Sequence, residues 1–587
     1  MKFPYGLSDF ATLIGEGYFY QDRTDRIPLL EETGRQLIFI RPRRFGKSLL
    51  LSVLEHYYDV NRAAQFDALF GPLAIGQNPT PLHNQYFVMK WDFSLVKAQG
   101  ELKEIEAALH QHINDRIAKF KTDYSAYLAL PIEIRPDNSI SSLESVLTAT
   151  SATPHKIYLL IDEYDNFANE VLMARQKDYE ALLYGEGLLK TVFKAVKAAA
   201  SGRGVDRVFI TGVSPVVLSD MTSGYNVGEN IYLEAIFNDL CGFTEAEIAT
   251  VLNRLAAEGV KWLAAEALDT MRTFYNGYRF SDEAPDSVYN PTLSLYFLKH
   301  LQSRSRYPRQ MLDENLAMDR NKLMYISRLP HGEELLIKAL SGNDVVTIPQ
   351  LARRFGVQDM LNSVKDQPLM ASLLYYFGIL TWVGLTPFNE CILKVPNLVA
   401  KSLYVERLQE LWLPGYEDQE SIRTVSKQFC QRGELQPLCD FIERRYFPVL
   451  SNRDYRWSNE LLVKIAFMTL LFNDRLYMMV SETEVDHGYV DLSLIVRPDM
   501  RRFQALDLLL EFKYLNLRDL GLTGEQAREK SPDELAALPA VLGKLNEAEE
   551  QARRYGAALR ERYSLTDLRA FAVVALGLER VVWRAVE

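Results

Sequence analysis

Cysteine is scarce, with four in 587 residues: Cys241, Cys391, Cys430 and Cys439. None belongs to a Cys-x-x-Cys pair or a Cys/His cluster, which argues against a zinc site and a disulfide-stapled scaffold. Scattered thiols in so large a chain point to a reducing compartment. Histidine numbers eight, and His83, His155 and His487 stand isolated, so none is expected to ligate a metal. Long apolar runs are missing too: nothing approaches the roughly 20 residues of a membrane-crossing helix. The opening MKFPYGLSDF lacks the basic-then-apolar order of a secretion signal. The expectation is a cytoplasmic protein with no membrane partner. Nor is there a basic excess, because 66 Lys and Arg face 77 Asp and Glu for a net charge of -11. The average field does not draw the chain onto nucleic acid, so any such contact has to come from a local basic patch. Internal repeats and low-complexity tracts are absent.

What the chain does have is length and core-forming residues. It is too long for one hydrophobic core, and two to four domains of about 150 residues are expected. Hydrophobic residues at 48% and charged residues at 24% give a soluble globular composition. Short apolar runs at Gln36–Ile40, Phe87–Met89, Ile157–Ile161 and Val208–Ile210 read as buried parallel strands separated by helices. The expectation is an α/β layered domain over 1–285. From about 285 prolines and polar stretches break the pattern. Helices followed by strand-like segments suggest a helical, winged-helix-like region over 286–410. An acidic cluster at 313–319 reads as a solvated loop before it. Connecting helices are expected over 411–455. A third unit, 456–587, shows a helix near 459–472 and strands near 477–483, 489–496, 505–513 and 570–575. A further helix lies near 548–562, and a mobile surface loop is expected over 515–540.

The stretch Arg41-Pro-Arg-Arg-Phe-Gly-Lys-Ser48 carries the first chemistry. It follows an apolar strand and opens a helix, the setting in which a loop of inward-turned N–H groups cradles phosphates. Gly46 permits close backbone approach. Lys47 meets the β/γ charge, and the Ser48 hydroxyl suits Mg²⁺. Arg43, Arg44 and Phe45 complete the loop. Arg41 stands where the usual motif has glycine, so the turn is shaped differently. A chance Gly-Lys-Ser at a helix start is the plain alternative.

Asp162 and Glu163 follow directly on the 157–161 strand, and ligands of open α/β sheets sit at the carboxyl ends of strands. Asp162 is assigned to the magnesium and Glu163 to the attacking water. A helix-capping Asp162 is the alternative. Thr211, ending the 208–210 strand, is a candidate γ-phosphate sensor or a simple turn residue. Tyr18, Phe19 and Tyr20 read as packing residues rather than an adenine platform.

In the last unit Asp491 begins one strand, while Glu511 and Lys513 lie two apart near the end of another and so share a face. Two adjacent strands can bring Asp491 and Glu511 together. Two carboxylates suit Mg²⁺, and the metal with a lysine can activate water and stabilise developing phosphate charge. A solvated Glu511–Lys513 ion pair is the alternative.

Phe3-Pro4 through Ser8-Asp9-Phe10, Tyr18–Thr24, RPRRFGKS at 41–48, IDEYD at 161–165, TGVS at 211–214, YNGYRF at 275–280 and YNP at 289–291 together resemble the bacterial AAA-ATPase-like family, with a departure at Gln21 and Arg23, where many relatives have valine and lysine. Asp491 with Glu511-x-Lys513 resembles the core of the PD-(D/E)XK nuclease superfamily, whose domain commonly ends such chains. That resemblance implies Glu460 as an additional acid of the metal site and Gln551 with Tyr555 as a bordering element. It implies a P-loop NTPase domain, a helical middle and an α/β restriction-endonuclease-like end. The expected cofactors are ATP and Mg²⁺, and the expected partner is nucleic acid, DNA before RNA, with self-association compatible. The leading expectation is an ATPase coupled to a metal-dependent nuclease. The alternatives are a nucleotide-switched signalling protein with an inactive nuclease-like domain and, third, a phosphotransferase.

Overall fold

The computed structural model describes all residues but 175–180, 183–186, 216–226, 261, 263, 313–322, 325–326, 328–330, 341–344, 354, 356–365, 414, 452–458, 481–483, 486–487 and 587. The acidic cluster at 313–319, His487 and the end of the strand expected to reach 483 therefore lie outside the described residues. By internal contacts the chain forms two units. One comprises 1–259, 276–299 and 348–391; the other comprises 260–275, 300–347 and 392–587. The four-part division read from sequence remains a proposal.

The first unit is built on a five-stranded sheet: β1 (Gln36–Ile40), β2 (Tyr86–Asp92), β3 (Lys156–Asp162), β4 (Val205–Gly212) and β5 (Glu229–Asn230). The order is β2-β3-β4-β1-β5 and every pairing is parallel. Parallel strands need crossovers, and helices supply them. The helix α1 (Lys47–Tyr58), Leu102–Asp123, Ser139–Ser151 and Leu188–Ala200 all pack on the strands. Layers of this kind bury a strand throughout. Leu37, Ile38, Phe39 and Ile40 of β1 are accordingly all buried, as is Ile157 through Asp162 of β3. The edge strand β5 has no apolar pattern, being Glu-Asn with both residues exposed, and so gave no sequence signal. Because β4 lies between β1 and β3, the strand that leads into the 41–48 loop and the strand that ends at Asp162 are held one strand apart.

The helical middle includes Pro291–Arg304, Gly332–Leu340 and Gln367–Tyr376, the last followed by the short strands Thr381–Leu385 and Cys391–Lys394. The helices Leu398–Trp412 and Tyr416–Arg432 come next.

The end of the chain forms a second five-stranded sheet: β6 (Tyr477–Val480), β7 (Leu492–Val496), β8 (Asp507–Leu515), β9 (Leu568–Leu576) and β10 (Arg580–Val586). Neighbours run antiparallel except β8 and β9, which are parallel. The parallel pair needs a long crossover, and α3 (Pro539–Tyr563) provides it, packing on β8 and β9. The helix α2 (Asn459–Leu471) packs on β8. The 515–540 stretch departs from the mobile loop expected of it. It folds into the short helices Gly524–Glu529 and Pro532–Ala536, each opened by a capping box, Thr523 with Gln526 and Ser531 with Glu534. Such boxes satisfy two otherwise orphaned backbone donors. Leu535 then anchors the segment in a core with Val541, Leu545 and Val574.

All four cysteines are buried and unpaired. Among the described residues no helix is long and apolar enough to cross a membrane.

Candidate active sites

At the end of β1 the chain turns sharply into α1. Arg44 takes φ 67° and Gly46 φ 91°. Glycine meets such a conformation without penalty, whereas arginine does so at a cost. Successive N–H groups in this kind of turn form a concave anion site, which here leads into a helix N-terminus. Arg41 does not face that site. It is 1% exposed, and its guanidinium donates to the carbonyls of Ile40 (2.8 Å), Tyr232 (2.8 Å) and Phe237 (2.7 Å). It also stacks over Phe39 and Phe280, 4.4 and 4.0 Å from the ring centroids. The arginine in the glycine position is thus a peg that fixes the start of the loop from behind. Burial pushes its pKa down to about 10. Phe45 is a second peg: it is buried and sits edge-on to Tyr278 and Phe280 at 5.0 and 5.3 Å.

Lys47 is buried, and its ammonium donates to the carbonyls of Arg41 (3.0 Å) and Pro42 (3.1 Å). Burial lowers its pKa, opposed by the charges of Glu163, Asp162 and Asp165. The acids arrive from β3. Asp162 accepts a hydrogen bond from the Thr211 hydroxyl (2.6 Å), so the paired ends of β3 and β4 are tied side chain to side chain. Glu163 adopts φ 49°, a strained conformation for a non-glycine residue and one that concentrates at functional sites. Its carboxyl is raised in pKa by burial, against Lys47 and Arg43. Arg43 itself donates to Asn166 at 2.5 Å.

Lys47, Ser48 and Glu163 line one cleft of about 360 Å³. Its remaining walls are largely apolar, with Leu13, Phe19, Ile27, Leu240, Phe243 and Leu295 among them. Chambers of this make-up suit a flat ring joined to a charged tail. Tyr20 packs on Phe10 and Phe19 on Phe3 and Phe243, so these rings are held by the protein core.

Two contributors escaped the sequence reading. Asp165 is fully buried and accepts from the Val213 amide (3.0 Å) and from the Ser214 amide and hydroxyl (both 2.8 Å). It clamps the segment that follows Thr211. Its place in the IDEYD run was the available signal. The other is Thr292, whose hydroxyl donates to the Arg44 carbonyl (2.8 Å) and which, with Pro291, lines the cleft. Nothing local marks it.

The second site lies where β7 meets β8. Their register pairs Leu492 with Leu510, which sets Asp491 beside the Glu511–Phe512 step. Asp491 Oδ2 accepts from the Phe512 amide (2.8 Å). Glu511 is 3% exposed, with Oε1 3.5 Å from Lys513 Nζ and Oε2 buried without a hydrogen-bond partner. A buried orphan carboxylate oxygen is costly, and a hard divalent cation is one partner that would satisfy it. Burial, then the charge of Asp491, push Glu511 up to about 8, with Lys513 opposing. Glu460, on the first turn of α2, is raised in pKa by burial and feels Lys513, Asp491 and Lys464. Lys464, one helical turn further, was missed in the sequence, where it looks like any lysine of an apolar helix. It is 5% exposed, with Nζ 3.5 Å from Asp491 Oδ1. Among the described residues no three His, Cys, Asp or Glu side chains form a group that could hold a metal ion. The structure brings together Asp491, Glu511 and two lysines. On α3, Tyr555 is buried, its hydroxyl accepts from Arg554 (2.9 Å), and Gln551 Oε1 is a buried acceptor without a partner.

Comparison with known proteins bears on both sites. Residues 4–222 match the family model described as a predicted AAA-ATPase. Residues 458–584 match the PD-(D/E)XK nuclease superfamily. The chain joins an AAA-ATPase-like domain to a PD-(D/E)XK superfamily domain. The AAA-ATPase-like match takes in the loop at 41–48, Asp162, Glu163 and Thr211, and the PD-(D/E)XK match takes in Glu460, Asp491, Glu511 and Lys513. A protein from Azotobacter chroococcum mcd 1, described as an uncharacterized protein in the vnfD 5' region, is 28% identical over 547 residues, covering 90% of this chain and 92% of its own. Among solved structures, the Aeropyrum pernix ORC2 protein in its ADPNP-ADP complexes is 14% identical, covers 69% of this chain and 98% of its own, and has a TM-score of 0.30. Cdc6p from Pyrobaculum aerophilum is 12% identical, with 68% and 98% covered and a TM-score of 0.28. Likenesses as slight as these two carry nothing about activity.

Proposed function

We propose that the chain binds and hydrolyses ATP in its AAA-ATPase-like domain and cleaves nucleic-acid phosphodiesters in its PD-(D/E)XK domain, DNA being the substrate to try before RNA. The observation that carries the first half is that Lys47, Ser48 and strained Glu163 line the same largely apolar cleft. The loop amides and Lys47 would hold the phosphates once Lys47 exchanges its loop carbonyls for them. Glu163 would take a proton from the attacking water. Thr211 would keep Asp162 aimed. Ser48 and Asp162 would hold Mg²⁺, which supplies charge neutralisation at the β/γ oxygens.

In the nuclease half Asp491 and Glu511 would hold one divalent cation, with Glu460 in support. The ion supplies Lewis acidity at the scissile phosphate. The Phe512 amide fixes Asp491, and Lys513 would stabilise the developing oxyanion. A cytoplasmic location and self-association remain part of this proposal.

A specific observation favours a second reading, a nucleotide-controlled protein with a silent nuclease domain. Each carboxylate of the pair already has a lysine ammonium at 3.5 Å, and the described residues hold no three-ligand group. One assay separates the two. Purified protein is incubated with single- and double-stranded DNA and RNA, Mg²⁺ or Mn²⁺, with and without ATP. Cutting that disappears in Asp491→Ala while phosphate release from ATP continues supports the nuclease. Absence of cutting in every combination, with ATP turnover intact, supports the silent domain.

A further inference from the structure

The pocket of Asp491 and Glu511 holds a buried cation that the reaction proposed for it does not use. Lys464 is nine-tenths buried and points its ammonium at Asp491 Oδ1, the oxygen not occupied by the Phe512 amide. Lys513 already serves Glu511. Lys464 and Glu460 stand four residues apart on α2 and so share a helix face. Asp491 and Glu511 against Lys464 and Lys513 leave the fully ionised pocket without net charge, with Glu460 acting on it only electrostatically.

We propose that Lys464 is a resident counter-cation of this pocket, a positioning residue that holds Asp491 in place while no metal is bound and restricts the pocket to a single, modestly bound divalent ion. The inference rests on the metal-site reading given above.

The physical logic is like-charge repulsion at short range. An ion bound by Asp491 would lie within a few ångströms of the Lys464 ammonium, inside a pocket that screens poorly. Lys464 must then swing away or stay and weaken the ion's hold. Either way a divalent ion pays more than a proton does, because its charge is twice as large. A second divalent ion would meet a pocket already turned positive. Without an ion, Lys464 fills the need for positive charge at Asp491, so the aspartate does not depend on metal to keep its position.

The test is Mn²⁺ binding to the nucleotide-free full chain, measured by calorimetry and by loss of the free-ion paramagnetic resonance signal at pH 8.5, where proton competition is small. Asp491→Ala identifies which binding belongs to this pocket. The expected result is one Asp491-dependent ion per chain. Lys464→Met should bind it at least tenfold more tightly, and Lys464→Arg, which keeps the charge, should stay within threefold of the parent. Thermal unfolding checks that each variant is folded, with Lys464→Gln in reserve if the methionine variant is not. A folded neutral variant with unchanged or weaker affinity overturns the role of Lys464, as does tightening in the arginine variant. If neither parent nor variants show Asp491-dependent binding, the metal-site reading falls and this inference with it. Binding without tightening removes this inference alone.

Discussion

Replacing Arg41 by methionine probes the phosphate loop without touching any group that faces the cleft. Methionine keeps most of the packing between Phe39 and Phe280 but leaves the carbonyls of Ile40, Tyr232 and Phe237 without their donor. Each unsatisfied buried carbonyl costs about 1–3 kcal/mol, so three cost about 3–9 kcal/mol. Against this, the buried guanidinium no longer has to be kept charged. Its pKa falls from 12.5 to about 10, which at about 1.4 kcal/mol per unit corresponds to about 3 kcal/mol of relief. The net destabilisation centres on about 3 kcal/mol, a factor of roughly 100 in the equilibrium between formed and unformed loop. Nucleotide affinity should therefore drop 10- to 100-fold in Arg41→Met, as read by titration of a fluorescent ATP analogue. Amide exchange should quicken at 41–47 and 232–237 together. Affinity within twofold of the parent would refute the assignment of Arg41 as the peg behind the loop.

Glu163→Gln should retain nucleotide binding and lose turnover by about 100-fold or more, the usual contribution of a positioned base; normal phosphate release from this variant would move the base elsewhere. Because burial raises the Glu163 pKa, the acid limb of the ATPase pH profile should lie above that of an ordinary carboxylate, with turnover lost as pH falls through it. For Glu511 the direction is worked from a value of about 8 against 4.5 unperturbed. At neutral pH the folded protein keeps the proton that an unfolded chain has released, so the metal-free fold is stabilised by it at low pH and loses that stability as pH rises from about 4.5 to about 8. A metal must displace that proton, so apparent Mn²⁺ affinity should climb roughly tenfold per pH unit below about 8 and flatten above it. Calorimetry across pH 6–9 checks this, and an affinity flat below pH 8 would sink it.

The parts of each site that were legible in the sequence are those whose meaning is local. Gly46-Lys-Ser48 after an apolar strand, acids at the end of Ile157–Ile161, and Glu511 two residues from Lys513 each follow from strand and helix periodicity. The illegible parts depend on partners far along the chain. Arg41 has its acceptors 191 and 196 residues away at Tyr232 and Phe237, so a local reading could say only that the loop departs from glycine. Lys464 in Leu-Leu-Val-Lys-Ile-Ala-Phe has no distinguishing neighbour until Asp491 is folded against it. The last strand, Arg-Val-Val-Trp-Arg-Ala-Val, was missed because its arginines interrupt the apolar run. They are used instead in pairs with Glu443 and Glu549. Between 515 and 540, glycines and prolines read as loop, whereas short capped helices use the same residues.

The burial of all four cysteines has a practical side. Burial pushes every one of these thiols above its ordinary pKa, Cys241 and Cys430 to about 11. At neutral pH the reactive thiolate is then on the order of one part in ten thousand for those two, and alkylating dyes attack the thiolate. The native chain is thus close to silent toward maleimides as it stands. A single cysteine placed on an exposed helix face should take a fluorophore alone, without the four substitutions that a cysteine-free background demands. The emission of that one dye can then be followed on addition of nucleotide or metal in an otherwise unaltered protein.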